Sequence, residues 1–320
     1  MILCQKKHCP KCLGVSVVRK GFYPNGKQRW FCLLCNRYFC WKNIEVKQTR
    51  ERVWFKQWIV EGDSVRQLSI QSGHSRAKLN RIIDHWLNNP PQDPINNLKE
   101  RRYLIFDGTF LRKQQSIVTL MDAQSHKVVY GQYGIHESSA DELITFFEFL
   151  IKRGLNPISC TVDGNPHVIK VIKKLWPNII IQRCLVHIQR QGLSWCRRDP
   201  KTAYGKKLRE IFLLVPNIHT SNERDQFLAL VRQWEEKYGQ YIKCEPDRGW
   251  VFSDIKRARS MLIRAIPDMF YYLNNPGIER TTNGLEGYYS RLKAHYRQHR
   301  GLSKNKLPNY FKWYFFFKIK

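Results

Sequence analysis

Two aspartates in this sequence each follow a short apolar run that is typical of a buried strand. Asp107 lies in YLIFDGTF, residues 103–110, and Asp163 lies in SCTVDGNPHV, residues 159–168. A buried carboxylate needs a turn, a partner or a metal ion. Two Mg²⁺ ions about 3.5–4 Å apart, held by carboxylates, catalyse phosphoryl transfer in many enzymes. The other interpretation is that both Asp-Gly pairs form turns, their commonest use, but their matching positions favour the metal site.

Four cysteines near the start of the chain have the spacing of a metal site. Cys9 and Cys12 form one C-x2-C pair, Cys32 and Cys35 form a second, and nineteen residues separate the pairs. That spacing is typical of a four-cysteine zinc site. The residues between the pairs alternate around Pro24-Asn25-Gly26, as the strands of a β-hairpin do. The sequence therefore predicts a zinc ribbon, in which structural Zn²⁺ supplies folding energy that so small a core cannot.

Two alternatives stay open for these cysteines. Disulfides and a redox C-x-x-C motif can use the same spacing, although clustered thiols in a reducing compartment more often bind metal. The ligand set is open as well, because Cys4, His8 and Cys40 lie close to the four cysteines in the sequence.

The charge of the chain indicates a polyanionic partner. Its 55 basic and 26 acidic residues give a net charge of +29, and nucleic acid is the commonest partner of so basic a protein. Residues 1–44 contain no acid, and residues 281–320 contain only Glu286. A membrane is the rival partner, but no apolar run approaches the ~20 residues that span a bilayer. The first residues lack the apolar core of a secretory signal, so we expect a cytoplasmic, nucleoid-associated protein with no membrane partner.

A helix, a short turn and a second helix are predicted over residues 64–87. Ser75 is placed to cap the second helix, which turns an apolar stripe inward and a basic face outward. The stripe consists of Leu79, Ile82, Ile83 and Trp86, and the basic face consists of Arg76, Lys78 and Arg81. This pattern is typical of a helix-turn-helix, whose second helix enters the major groove. An ordinary pair of packed helices with a basic face gives the same pattern, but the basic composition favours DNA binding.

From residue 102 onward the pattern changes to strands. The apolar runs predict the order β-β-β-α-β-α-β, which is typical of a mixed α/β sheet. In that order the first and fourth strands can lie side by side. Asp107 and Asp163 would each end one of these strands, so the same edge of the sheet would hold both carboxylates.

Glu286 is the third candidate carboxylate. It lies near the start of a predicted helix, and the stripe that contains it also carries Asn283, Ser290, Lys293 and Arg297. Lys293 and Arg297 are placed there to meet DNA phosphates. The alternative is structural, because Asn283-x-x-Glu286 matches a capping box and acids are favoured at helix N-termini.

The motifs FDGTF, TVDG, QRCLVHIQR and TTNGLEGYYSRLKAHYRQHRGLS resemble those of DDE transposases, which have a ribonuclease H-like core. The narrower resemblance is to bacterial insertion-sequence enzymes related to the Mutator-like superfamily, and it covers roughly residues 102–305. It implies that Asp107, Asp163 and Glu286 are catalytic and bind two Mg²⁺ (or Mn²⁺) ions. It also implies that the ribbon and the helix pair bind the ends of a mobile element.

The pair Cys184-x-x-His187 occurs in the resembling families too, which implies a position near the active site. Two ligands do not complete a tetrahedral zinc site, and a buried cysteine beside a hydrogen-bonded histidine explains the pair at least as well. Gln182, Arg183 and Arg190 flank the pair and are candidate DNA contacts.

We therefore predict a multidomain chain with an interrupted α/β core. The predicted parts are a zinc ribbon (1–43), a helix-turn-helix domain (44–90), a linker (91–101), the first part of a ribonuclease H-like mixed sheet (102–189), a mainly α-helical insertion (190–278), and a C-terminal part with the Glu286 helix and a basic aromatic tail (279–320). The insertion either contacts DNA or packs on the core. The tail packs on the core by default, although pairing with a second subunit or stacking on bases fits its composition.

The resemblance also implies a reaction. Hydrolysis of a phosphodiester at the terminal inverted repeats would expose a 3′-hydroxyl, and this group would then attack target DNA. Cutting both ends together requires a homodimer or a larger synaptic complex on double-stranded DNA. Two other functions fit the same residues: a nuclease on the same core that does not join strands, and a catalytically silent DNA-binding regulator derived from a transposase.

Overall fold

The computed structural model describes residues 8–40, 44–92, 98–112, 115–244, 249–299 and 301–319. The chain divides into two compact units, Met1–Phe55 and Lys56–Lys320. Cys4 and residues 93–97 of the predicted linker lie outside the described residues. The domain boundaries drawn from the sequence stay predictions.

The first unit contains a small antiparallel sheet. Its strands are β1 (Val17–Phe22), β2 (Gln28–Cys32) and β3 (Tyr38–Phe39). The backbone N–H of Tyr23 donates a hydrogen bond to the carbonyl of Lys27 (2.8 Å), which closes the turn between β1 and β2. The predicted hairpin is therefore confirmed. The buried side chains of this unit's small core are Cys9, Cys32 and Phe39.

Three helices precede the large sheet: α1 (Ile44–Val60), α2 (Val65–Ser72) and α3 (Arg76–Asn88). Ser75 caps α3 as predicted, because its hydroxyl accepts a hydrogen bond from the backbone N–H of Lys78 (3.3 Å). The buried stripe of α3 consists of Leu79, Ile82, Ile83 and Leu87. Trp86, which was expected in that stripe, is only half-buried, and its ring packs edge-on against Trp313.

A mixed five-stranded sheet forms the centre of the second unit. Its elements in chain order are β4 (Tyr103–Arg112), β5 (Gln115–Asp122), β6 (Val128–Tyr133), α4 (Ala140–Ile151), β7 (Ser159–Val162), α5 (Pro166–Leu175) and β8 (Ile180–Arg183). The spatial order of the strands is β6-β5-β4-β7-β8. The first three strands pair antiparallel, and β4, β7 and β8 pair parallel. The order of elements and the mixed sheet expected from the sequence are confirmed.

Parallel pairing of β4 with β7 brings the two aspartates level. The paired residues are Tyr103 with Ser159, Leu104 with Cys160 and Ile105 with Thr161. Continuing this register by two residues puts Asp163 beside Asp107, on strands about 4.8 Å apart. The expectation that Asp107 ends its strand is wrong, because β4 continues its pairing with β5 to Arg112 and Asp107 pairs with Thr119. Asp163 does follow the last residue of its strand.

One face of the sheet is covered by a core shared with α4 and α5. Phe106 of β4 packs against Phe146 and Phe147 of α4, with ring centroids 5.9 and 5.2 Å apart. Successive side chains of a strand point to opposite faces. Because Phe106 points into this core, Asp107 lies on the other face.

A run of helices separates β8 from the last part of the chain. They are α6 (Leu185–Cys196), α7 (Ala203–Leu214), α8 (Ser221–Trp234), α9 (Gln240–Cys244) and α10 (Gly249–Ala265), and they share an apolar core of their own. Gln182 anchors this region to the sheet: its buried side-chain amide donates to the carbonyl of Met269 (2.7 Å) and accepts from the N–H of Tyr272 (3.4 Å). The suggestion that Gln182 contacts DNA is therefore wrong.

The last two helices, α11 (Asn283–Arg297) and α12 (Leu307–Lys318), lie against the sheet. On edge strand β6, Tyr133 stacks with Phe311 of α12 at 5.2 Å between ring centroids. Trp313 donates a hydrogen bond from Nε1 to the carbonyl of Trp86 (2.7 Å). The aromatic tail therefore packs on the core, which was the default interpretation of its sequence. Within the described residues, no helix is long and apolar enough to cross a bilayer.

His299, just after α11, is a buried histidine held in its neutral form. Its Nε2 donates a hydrogen bond to the carbonyl of Trp58 (2.9 Å), and burial lowers its pKa to about 4. Since this folded-state pKa lies below the unfolded value of about 6.5, the unfolded chain binds the proton more readily between these pH values. The free energy of unfolding should therefore fall by up to about 3 kcal/mol as the pH drops from 7 to 4.

We expect His299→Phe to flatten this pH dependence. The substitution keeps an aromatic ring against Trp58 but leaves the Trp58 carbonyl without a donor, so it also lowers stability at pH 7. Urea unfolding between pH 7 and pH 4 measures both effects. His85→Phe, at an exposed position on α3, is the control and should leave the slope unchanged. An unchanged slope for His299→Phe would contradict the assignment.

Candidate active site

Asp107 and Asp163 differ in exposure and in local support. Asp107 is only 7% exposed, whereas Asp163 is half-buried at the start of the loop after β7. Oδ1 of Asp163 accepts a hydrogen bond from the backbone N–H of Asn165 (2.9 Å), so Asp163 does serve a turn. One such bond leaves most acceptor sites of a carboxylate available. The turn and a metal site are therefore compatible at this residue.

Burial and neighbouring charges together raise the pKa of Asp107. Burial raises its pKa to about 7, with a further contribution from the charge of Asp163 and a smaller one from Glu286. The charge of His187 and a hydrogen bond from the backbone N–H of Gly108 lower this pKa. The three carboxylates singled out in the sequence therefore lie within one electrostatic environment.

The carboxylate of Glu286 pairs with an arginine side chain rather than with the backbone N–H groups at the start of its own helix. Its two carboxylate oxygens accept hydrogen bonds from Nη1 of Arg190 at 2.6 and 2.9 Å, and Oε1 lies 3.7 Å from Nε2 of His187. The N-cap of α11 is Thr282, with no side-chain cap bond. The alternative in which Glu286 and Asn283 form a capping box is therefore wrong.

Two hydrogen bonds fix α11 against β4 beside Asp107. The hydroxyl of Tyr289 donates to the carbonyl of Asp107 (2.5 Å), and Nζ of Lys293 donates to Oγ1 of Thr109 (2.6 Å). The helix that carries Glu286 is thereby tied to the strand that carries Asp107. Lys293, a candidate phosphate contact, already has one protein partner, whereas Arg297 is exposed.

Cys184 and His187 form a small network at the junction of β8 and α6. The thiol of Cys184 is buried and accepts a hydrogen bond from the backbone N–H of Thr282 (3.3 Å), and Nδ1 of His187 lies 3.3 Å from its Sγ. The hydrogen bond with Cys184 raises the pKa of His187 to about 9 although burial opposes it. The pair therefore connects the sheet to the start of α11 and places a positive charge near Glu286.

Glu137 is a fourth carboxylate in this environment, and sequence reasoning missed it. It lies between β6 and α4, and burial raises its pKa to about 8, with further contributions from the charges of Asp163 and Asp107. In the sequence, Glu137 resembles the acids Asp141 and Glu142, which favour a helix N-terminus. No local pattern distinguishes it from them, because its proximity to the aspartates depends on the pairing of distant strands.

The donor atoms of this cluster suit a hard divalent cation such as Mg²⁺, because they are carboxylate oxygens. Among the described residues, Asp107, Asp163 and Glu137 make no ion pair with a lysine or arginine. Their carboxylates are also not drawn into one tight group: within the described chain, only the four cysteines place three or more ligand atoms within 4.8 Å of one another.

The four cysteines of the first unit form a compact thiol cluster. Sγ of Cys9 lies 3.7 Å from Sγ of Cys35, and Sγ of Cys12 lies 3.5 Å from Sγ of Cys32. Four thiolates around one zinc ion, each about 2.3 Å from it, would be about 3.8 Å apart. The cluster therefore fits a tetrahedral ion. His8 and Cys40 lie outside it, while Cys4 is not among the described residues.

The basic face predicted for α3 is present. Arg76 and Arg81 are exposed and Lys78 is half-buried. Nζ of Lys78 lies 3.1 Å from Nε2 of His74, in the turn between α2 and α3. Positive charge is thus displayed along the outer side of this helix.

Comparison with known proteins gives a family match for the central region. Residues 105–250 match the family described as Transposase, Mutator family, so the resemblance seen in the motifs is confirmed for this part of the chain. The matched residues include Asp107, Glu137 and Asp163, and they end before Glu286. No curated protein matches the chain.

Gly164, next to Asp163, has a backbone conformation that favours glycine, with φ of +106°. A β-carbon at this position would collide with the guanidinium of Arg183. That guanidinium is largely buried, and its Nη2 lies 3.5 Å from the carbonyl of Asp163. Glycine therefore allows Arg183 to support the loop that presents Asp163.

We expect Gly164→Ala to destabilise the fold by more than the ~1–2 kcal/mol that a positive φ costs an alanine, because Arg183 has to move as well. Gly134→Ala is the matched control: its φ is also positive, at +87°, but an added β-carbon meets nothing within 4 Å. Urea unfolding of both variants measures the difference. Equal losses of stability would show that Arg183 does not require this glycine.

Proposed function

Because the chain carries a transposase domain of the Mutator family over residues 105–250, we propose that it is a DNA transposase with a DDE active site made of Asp107, Asp163 and Glu286. The observation that carries this proposal is the parallel register of β4 and β7, which brings the two aspartates level. The mixed sheet with Glu286 on a late helix supports a ribonuclease H-like core.

In this proposal, Asp107, Asp163 and Glu286 hold two Mg²⁺ or Mn²⁺ ions. Such ions activate the attacking oxygen and stabilise the leaving oxygen during phosphoryl transfer. The protein's part is to supply oxygen ligands at fixed positions. Asp107 is fixed by the pairing of β4, Asp163 by its turn, and Glu286 by the docking of α11 beside Asp107.

The proposed reaction has two steps with the same bond changes. A water oxygen first attacks the phosphorus at the end of the element and breaks its bond to the 3′ oxygen, which leaves a 3′-hydroxyl and a 5′-phosphate. That hydroxyl then attacks a phosphorus of target DNA, forming one phosphodiester and breaking another. Both steps need negative charge on phosphate to approach a cluster of carboxylates, which is possible only when cations lie between them.

Arg190 is placed to take part in DNA binding. Both carboxylate oxygens of Glu286 accept hydrogen bonds from Arg190, so a metal ion at Glu286 would compete with this pair. The Arg190 side chain is 60% exposed, so once released its guanidinium can pair with a DNA phosphate beside the site. Exposed Arg297 and the remaining donors of Lys293 extend the same basic surface along α11.

We assign recognition of double-stranded DNA at terminal inverted repeats to α2 and α3, as a helix-turn-helix. In this arrangement α3 enters the major groove with Arg76, Lys78 and Arg81. The net charge of +29 supports DNA as the partner. Joining two element ends to one target requires two active sites, so we propose a homodimer or a larger synaptic complex acting in the cytoplasm, at the nucleoid.

We assign one structural Zn²⁺ to Cys9, Cys12, Cys32 and Cys35. Removing a single ligand, as in Cys32→Ser, should abolish tight zinc binding and unfold the ribbon, because a tetrahedral site needs all four donors. Zinc released by a thiol-modifying reagent, counted per chain, should fall from one to near zero. Cys244→Ser, at an exposed cysteine outside the cluster, is the control. A zinc count that stays at one in Cys32→Ser would remove Cys32 from the ligand set.

The proposed function is tested by cleavage of a labelled duplex that carries the DNA flanking the gene, with Mg²⁺ present. Asp107→Asn, Asp163→Asn and Glu286→Gln should each reduce cleavage at least about a hundredfold, since metal-ion catalysis contributes several kcal/mol. DNA binding should be retained. Asp225→Asn, at an exposed acid on α8, is the control and should cut normally. Cleavage that survives one of the three substitutions would remove that residue from the site.

The same assay separates the two alternative functions. Cleaved ends that never join a second duplex would indicate a nuclease on this core. Specific DNA binding without cleavage by the unaltered chain would indicate a catalytically silent regulator. Cleavage followed by joining of the 3′ end to target DNA is the result expected for a transposase.

A further inference from the structure

We propose that Glu137 is a fourth carboxylate ligand of the metal site, beside Asp107, Asp163 and Glu286. This inference rests on the proposed function, because it adds a residue to the same site. The sequence motifs do not include Glu137. It lies in the loop between β6 and α4.

The loop that carries Glu137 is held firmly on both sides. The backbone N–H of His136 donates to Oε2 of Glu142 (2.6 Å), and Nδ1 of His136 lies 3.1 Å from the same oxygen. The N–H of Ser139 donates to the carbonyl of His136 (2.9 Å). Glu142 therefore serves the loop, while Glu137 takes no part in these bonds and is presented by them.

The carboxyl group of Glu137 lies directly over Gly108, the residue that follows Asp107. A β-carbon added to Gly108 would come within 2.7 Å of Cδ and 2.9 Å of Oε1 of Glu137. Only a residue without a side chain leaves room for the carboxyl group there. Gly108 adjoins Asp107 on β4, so the close approach brings a second acidic group to the strand segment that the proposed site uses, from the face opposite the Asp107 side chain.

The second observation is an unpaired buried oxygen. Within the described residues, Oε1 of Glu137 is shielded from solvent and has no hydrogen-bond partner. The groups that act on Glu137 electrostatically are Asp163 and Asp107, which repel it, and His187, which attracts it. A buried carboxylate that serves only the fold is normally paired with a donor or a basic side chain. Within the described residues Glu137 has neither, and a divalent cation is a partner that fits these surroundings.

The test measures metal binding directly, with Mn²⁺ as the probe and the full-length protein without DNA. Electron paramagnetic resonance of free Mn²⁺ gives the affinity. Glu137→Gln keeps the shape of the side chain and removes its charge, and we expect it to weaken Mn²⁺ binding about tenfold or more. Glu148→Gln, at an exposed acid of α4, is the control and should bind like the unaltered chain. Asp163→Asn removes a ligand of the proposed site and therefore shows whether Mn²⁺ binds there.

The outcomes separate the two proposals. Weaker Mn²⁺ binding in both Glu137→Gln and Asp163→Asn supports the inference, as does a matching increase in the Mg²⁺ concentration that Glu137→Gln needs for half-maximal cleavage. Weaker binding in Asp163→Asn alone overturns the role of Glu137 and leaves the transposase proposal standing. An unaltered chain that neither binds Mn²⁺ nor cuts DNA overturns both.

Gly108→Ala provides an independent variant that retains every charge. Its methyl group pushes the Glu137 carboxyl away from β4, so Mn²⁺ affinity should fall although no acid is lost. Circular dichroism and DNA binding of the same preparation establish that the variant is folded. Unchanged Mn²⁺ affinity in the folded variant would contradict the placement of Glu137 at the metal site.

Discussion

The repulsion between carboxylates that the fold places side by side is the constraint on which this structure depends. Asp107 is placed in the middle of a central strand, where it cannot turn away to solvent, and the parallel neighbour brings Asp163 to the same level. An arrangement that raises the pKa of Asp107 to about 7 lowers stability near neutral pH when no cation is present. Such strain within a rigid sheet is a common property of sites that bind a ligand.

Positive groups on β8 and α6 lie beside this negative cluster. Arg190 of α6 pairs with Glu286, and the protonated form of His187 is favoured beside it. Half-buried Arg183 supports the carbonyl of Asp163. In the proposed function, the excess of basic residues elsewhere attracts DNA, whereas the local excess of acid retains metal ions. The two demands are compatible in one molecule because the acids are buried or half-buried and many of the bases are at the surface, where their field reaches solvent.

The sequence predicts those parts of this fold that depend on interactions between residues close together in the chain. The hairpin around Asn25, the cap at Ser75 and the order of strands and helices all depend on neighbouring residues. Asp107 was expected at a strand end, because the apolar run before it stops there, but pairing with β5 carries β4 onward. Glu137 and the Arg190 partner of Glu286 were not predictable, since their contacts join segments that are far apart in sequence and are determined only by tertiary packing.

The position of Glu286 depends on two hydrogen bonds that tie the chain before α11 to the sheet and to α6, and not on the length of the helical region before it. Oγ1 of Thr161, two residues before Asp163, donates to the carbonyl of Glu279 (2.5 Å), and the N–H of Leu185 donates to the carbonyl of Arg280 (3.1 Å). These bonds return the chain to the sheet just before α11 begins. Closing a long loop costs only slightly more than closing a short one. Helices can therefore lie between β8 and α11 without disturbing the site, provided that these anchors hold both ends of the region against the sheet.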